Sequence, residues 1–121
     1  MKSVIEKYQN TPFEYGPADC CQFVGECVES LRGYNPAKWF DYNCESGANE
    51  LINSYGGLEE LVTANLGRPI FHDYKDGDIA LYDQKDGSQI LGIVEGDEVI
   101  LRSVKGLVRW PIFAAKAIWR T

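Results

Sequence analysis

Histidine is nearly absent from this chain, with one residue, His72, in 121. Catalysis that needs an imidazole base therefore has a single candidate. Basic residues are also in deficit. Lys and Arg total 12 against 18 Asp and Glu, a formal net charge of -6. A basic surface that would displace counterions from phosphates is missing, so no nucleic-acid partner is expected. No apolar run reaches the roughly 18 residues that a membrane-spanning helix requires. The opening "MKSVIEKYQN" has neither a continuous apolar stretch nor a small-residue cleavage site, so it does not read as a secretion signal. Four cysteines stand at C-C-x5-C-x16-C (Cys20, Cys21, Cys27, Cys44) with no C-x2-C pair. His72 does not complete a zinc pattern with them. Reduced thiols in a cytoplasm, with no metal and no cofactor, are the expectation.

What is present suits one globular domain over residues 1–121, with 45% hydrophobic and 25% charged residues. Val4, Ile5 and Tyr8 predict a short amphipathic helix over residues 2–9, ended by Thr11-Pro12. Asp19 is placed to cap a second helix, with Gln22 three positions on. There Cys20, Phe23, Val24, Cys27, Val28 and Leu31 recur at helical spacing until Gly33. Ser46 is the expected cap of a third helix holding Leu51 and Ile52. Leu58, Leu61, Val62 and Leu66 mark a fourth, ending at Gly67.

After Pro69 the period changes. "DIALYD", "QILGIVEG", "DEVILRSV", "GLVRWPI" and "AKAIWR" are short apolar or alternating runs separated by turn signals. They predict four to five antiparallel strands joined as a meander. The fold class is therefore α+β, with N-terminal helices packed on a C-terminal, partly barrel-like antiparallel sheet.

Chemistry centres on "YGPADCCQFVGECV". Cys20 sits one residue after the Asp19 cap, where free N–H groups and the helix dipole favour a thiolate. Such a nucleophile still needs a base and a group that orients it. Cys20 can equally serve as a packing residue on an apolar helix face. Cys21 and Cys27 read as structural. His72, in "RPIFHDYKDGD", is either a loop residue or a substitute base. The run "YNPAKWFDY" gathers Tyr34, Trp39, Phe40 and Tyr42. With Tyr15 they form either a recognition patch or a loop whose aromatics fold over the core. Trp110 and Trp119 lie in strand-like runs and read as packing residues.

The layout resembles the NlpC/P60 superfamily of papain-like cysteine peptidases, which cleave peptidoglycan stem peptides. "DCCQFV" matches the motif that carries that family's nucleophile, with Cys20 in its place. Pro12, Phe13, Tyr15 and Gly16 match the segment before it. "DGDIALY" and "ILGIVEGDEVI" match two downstream strands, so the resemblance spans roughly residues 12–101. "PFEYGPADC", "GDIALYD", "LGIVEGDEV" and "AAKAIWR" are similar to a group of small phage and prophage proteins with this layout, whose genes lie among tail-assembly genes.

The departures are at the catalytic positions. The resemblance places Ile90 where the family has its His, and Leu101 or Arg102 near the third member. Isoleucine accepts no proton, and a cationic Arg would disfavour an adjacent imidazolium. Phe13 also lacks the hydroxyl of the family's Tyr. The expectation is a phage or prophage tail-associated protein that keeps a peptidase-like fold without the chemistry. It would bind other tail proteins or peptidoglycan, in the host cytoplasm or in the virion. The competing expectation is a cysteine hydrolase, a peptidoglycan endopeptidase or amidase, using Cys20 with His72 or a partner's residue as base.

Overall fold

The computed structural model describes residues 1–13, 19–39 and 45–121, and the side chains of these other than 38, 39, 45 and 46. Among the described residues four helices precede five strands: α1 (Lys2–Gln9), α2 (Cys20–Arg32), α3 (Glu45–Ser54), α4 (Leu58–Leu66), β1 (Ile79–Asp83), β2 (Gln89–Glu95), β3 (Glu98–Ser103), β4 (Gly106–Pro111) and β5 (Ala117–Trp119). Short 3-10 turns occupy Pro36–Trp39 and Ile112–Ala114. The molecule is α+β, with one antiparallel sheet that does not close into a barrel.

Local sequence explains the helix boundaries. The Asp19 carboxylate accepts the Gln22 amide at 2.9 Å, which satisfies one of the free N–H groups opening α2. Gly33, at φ 85°, donates to the Glu29 carbonyl and ends the helix in the left-handed region open to glycine. One face of α2 buries Phe23, Val24, Cys27 and Val28. Leu31 is exposed, although it continues the apolar pattern. A Cβ on Gly25 would stand 2.2 Å from Asn35 Oδ1 and 2.7 Å from Ala37 Cβ. Glycine there lets the Pro36–Trp39 turn seat directly on α2. Helix α3 begins at Glu45, so Ser46 lies inside it and is not its cap.

The strands alternate between two apolar layers, as a pleat with both faces covered requires. Ile79, Leu81, Leu91, Ile93, Ile100 and Trp119 join α1, α2 and α4 in the larger core. Ala80, Tyr82, Ile90, Val94, Val99, Leu101 and Ile118 form a second cluster on the opposite face. Strong curvature encloses that second cluster. β1 and β4 are three strands apart, about 14 Å in a flat sheet. Yet the Tyr82 and Trp110 rings meet edge to face at 5.2 Å, and the Tyr82 hydroxyl donates to the Pro111 carbonyl at 2.9 Å.

The order is β4-β3-β2-β1-β5. Strands β1 to β4 form the expected meander, but β5 does not continue it and pairs with β1 at the other edge. The connection crosses by way of the second 3-10 turn. The Ile112 amide donates to the Asp97 carbonyl at 3.2 Å, and the Lys116 amide to the Leu81 carbonyl at 2.8 Å. Ile112 and Ala115 pack on the second cluster along this path. Trp119 is fully buried, and its indole N–H reaches Thr63 Oγ1 on α4 at 3.2 Å.

The Asp-Gly-Asp run before β1 is a structural joint. Asp78 is wholly buried, and its carboxylate accepts the amides of Lys75 at 2.8 Å and Thr121 at 3.3 Å. Asp76 accepts the Gly96 amide at 2.8 Å, fixing the β2–β3 turn against the same loop.

Candidate functional site

Cys20 is the first residue of α2 and is partly exposed, with its side chain against the second apolar cluster. Its thiol lies below the ordinary cysteine value. The Cys21 side chain contributes most by donating to it, burial works the other way, and the Leu91 amide donates as well. The neighbouring Asp19 charge opposes the anion.

Strand register explains why the Leu91 amide is available. Val94 exchanges hydrogen bonds with the β1 side, donating to the Asp78 carbonyl and accepting from the Gly77 amide. Alternation along β2 then turns the backbone of Ile93 and Leu91 toward β3. Pairing between β2 and β3 stops at Gly92↔Leu101, one residue short of Leu91. The start of α2 approaches where that ladder ends.

Ile90, at the position where the resemblance calls for a base, is only 5% exposed and belongs to the same cluster that Cys20 packs against. That cluster also holds Ala80, Tyr82 and Leu101. Arg102 is also buried, at 2% exposure, and faces α1. Its guanidinium donates to the Tyr8 carbonyl at 3.0 Å and to the Thr11 carbonyl, and lies over the Tyr8 and Phe13 rings at 5.6 and 5.9 Å. A cation against the last carbonyls of a helix is favourable. Arg102 thus holds the chain that leads from α1 toward the cysteine helix. Burial lowers the guanidinium from its usual value, and it stays charged.

His72 is placed apart from this arrangement. Its ring is 85% exposed, and Nδ1 lies 2.9 Å from the Asp73 carboxylate. No hydrogen bond joins it to Cys20 among the described residues, and it is not among the main groups acting on the thiol. Tyr15, Phe40, Tyr42 and Cys44 lie outside the described residues. Trp39 ends the first 3-10 turn, and its side chain is likewise outside the description. The proposed aromatic patch is therefore neither assembled nor dispersed by what is described.

Cys21 points to the helix side of the sheet. It lines an apolar cleft of about 40 Å³ with Val24, Pro36, Leu61, Ile79 and Leu91. Cys27 is fully buried, and burial pushes its thiol up to about 12. Sequence reasoning missed two participants at this site. The Leu91 amide carries no side-chain signal, since any residue but proline supplies one. The structural duty of Arg102 is equally invisible locally, because its acceptors lie more than 90 positions away.

Compared with known proteins, the chain matches over residues 1–121 a family model described as a domain of unknown function, DUF6950. No curated protein matches it.

Proposed function

Because the chain belongs along its whole length to the DUF6950 family, whose function is open, we propose a role from its site: an NlpC/P60-like, papain-type scaffold that works by binding rather than hydrolysis. Its context would be a phage or prophage tail, either as a virion component or as an assembly factor in the host cytoplasm. Its partners would be other tail proteins or peptidoglycan.

One observation carries the non-hydrolytic reading. Where the resemblance calls for the base stands Ile90, buried in the apolar cluster against which Cys20 also packs. Amide hydrolysis by a cysteine needs a group that takes up a proton and returns it to the departing amine. An alkyl side chain does neither. Of the two residues near the third position, Leu101 is buried in the same cluster and Arg102 is committed to the carbonyls of Tyr8 and Thr11.

The test uses the purified protein with peptidoglycan sacculi and soluble muropeptides, with Cys20→Ala in parallel. The expected result is no new amino or carboxyl ends from either protein. Equal co-sedimentation of both with sacculi is expected if the wall is the partner, and capture of a purified tail protein if it is not. Turnover that Cys20→Ala abolishes would sink this reading.

The lowered thiol of Cys20 favours one alternative, a cysteine hydrolase of amide bonds in peptidoglycan. Its base would be His72, drawn away from Asp73, or a residue of another chain. That version requires His72→Ala to lose activity together with Cys20→Ala.

A further inference from the structure

The two edges of the sheet end differently. β5 is three residues long, and its outer side is taken where the Ile70 amide donates to the Ile118 carbonyl at 2.7 Å. β4 is six residues long and forms the other edge, with no strand beyond it among the described residues. An open edge of that length is a template for another strand, and proteins that stay monomeric usually cover or blunt it. Register decides which of its groups are open. Ile93 turns its backbone toward β3 and so exchanges hydrogen bonds with Ile100. Val99, Leu101 and Ser103 then face β4, where they pair with Trp110, Val108 and Gly106. Leu107, Arg109 and Pro111 therefore present their backbone to the outside. Pro111 has no N–H, and its carbonyl accepts the Tyr82 hydroxyl at 2.9 Å. At the other end the Lys105 amide donates to Ser103 Oγ at 3.2 Å. The open run is thus the N–H and C=O of Leu107 and of Arg109.

This set of groups is its own complement. A second β4, laid antiparallel about a two-fold axis at Val108, sets Leu107 of one copy opposite Arg109 of the other. Each such pair exchanges both hydrogen bonds, and nothing in the run is left over. The side chains agree with that register. Val108 meets Val108 at the axis, at the margin of the second apolar cluster of each copy. Trp110 comes beside Gly106 of the other copy, and the space there is open: a Cβ on Gly106 would meet no atom within 4 Å. Arg109 lies 3.0 Å from Glu95 and 3.8 Å from Glu98 of its own copy, so its charge is balanced and faces no like charge across the seam. The antiparallel sense also brings the Val104 end of one strand alongside the Phe113 end of the other. Those two side chains are 67% and 87% exposed.

We propose that β4 is a self-association edge: it pairs with β4 of a second copy of this chain and joins the two sheets into one about the axis at Val108. A strand of a foreign protein would satisfy the same backbone groups, but the match of Gly106 to Trp110 and of the Val104 end to the Phe113 end favours a second copy. The assembly goes beyond the binding role proposed above and does not depend on it.

The experiment measures the mass of the full-length protein by sedimentation equilibrium, with reductant present, over about 1–300 µM. The mass is expected to rise with concentration from that of one chain, 13.6 kDa, toward twice that value. Arg109→Pro removes an outward N–H at an edge position and spares the inward bonds of Val108 and Trp110. It is expected to weaken association by about tenfold or more, since one hydrogen bond is lost on each side of the axis. Arg109→Ala keeps the N–H and is expected to stay within about threefold of the parent. Circular dichroism checks that each variant is folded. Register is read by oxidising Val108→Cys: Cα atoms of such a non-hydrogen-bonded pair stand about 4.5 Å apart, within disulfide range. A link between the two copies of position 108 is expected by peptide mapping, and none between copies of position 109 in Arg109→Cys. This pair of variants decides the matter even if Arg109→Pro does not fold. A parent protein that keeps the mass of one chain throughout would overturn the proposal, as would linking at 109 as readily as at 108. Either result would leave the edge to a foreign strand, and neither bears on the outcome of the sacculus assay.

Discussion

Gly92 shows how much a single residue constrains the curvature of the sheet. A Cβ there would stand 2.5 Å from Val99 Cγ1, 2.7 Å from the Ile100 carbonyl oxygen and 2.9 Å from Leu101 Cγ. The carbonyl belongs to the paired strand and cannot rotate aside. Strand β3 leans over Gly92 because the sheet curls toward the second cluster, and only hydrogen fits. Gly92→Ala is therefore expected to destabilise the fold by about 1–3 kcal/mol, the usual range for overpacking. Urea denaturation followed by tryptophan fluorescence would measure it, and an unchanged midpoint would contradict the close approach. In the sequence, "LGIVEG" was legible as a strand, but the reason for its first glycine was not. A glycine inside a strand signals a bend or a close contact without saying which.

At the scale of elements, α1 is held by polar contacts as much as by apolar ones. Tyr8 is fully buried, its hydroxyl donates to the Glu26 carboxylate, and its ring meets Phe23 at 5.1 Å. Burial, then the Glu26 bond, hold that phenol protonated well above its usual range. Lys7 pairs with the other oxygen of Glu26 at 2.6 Å. Arg102 completes the joint from β3. Arg102→Met keeps about the same volume and removes the donors, so the Thr11 carbonyl loses the guanidinium and the Tyr8 carbonyl is left with the Thr11 amide. A loss of about 2–4 kcal/mol is expected. Amide hydrogen exchange should rise first in α1, ahead of β3. Uniform exchange across the molecule would instead indicate that α1 docks without Arg102. The helices themselves were readable in advance, since capping by Asp19 and termination at Gly33 depend only on near neighbours. The docking of α1 was not, because it rests on a side chain from the far end of the sequence.

For the whole molecule, Cys27 and Tyr82 join the Tyr8 phenol in tying stability to alkaline pH. Burial pushes the Cys27 thiol up to about 12 and the Tyr82 hydroxyl up to about 12, above their values of 9.0 and 10.0 in an unfolded chain. Both are neutral when protonated, so the folded state holds protons that the unfolded state releases first. Their contribution is whole below about pH 9, and it falls as pH rises toward about 12. Each group steepens the decline by about 1.4 kcal/mol per pH unit at most within its window. Denaturant midpoints measured from pH 8 to 11 should fall with pH, and Cys27→Ala should flatten the slope between pH 9 and 11 even though it starts lower. An identical slope in the variant would place the sensitivity elsewhere.

By itself the sequence determined the local order of this protein: four helices, four to five strands, the Asp19 cap, the glycine stops and the α+β division at Pro69. These follow from propensities and from contacts three or four residues apart, which any reader of the chain has in hand. It also placed a cysteine at a helix start and an isoleucine where the resemblance asked for histidine. Only the tertiary structure decided that β5 returns to the β1 edge, that Arg102 serves α1, and that the Leu91 amide meets Cys20. Each of those joins residues tens of positions apart through backbone groups or buried side chains. Their pairing is set by how the sheet curls and by where its ladders stop, and neither is written in any short stretch of sequence.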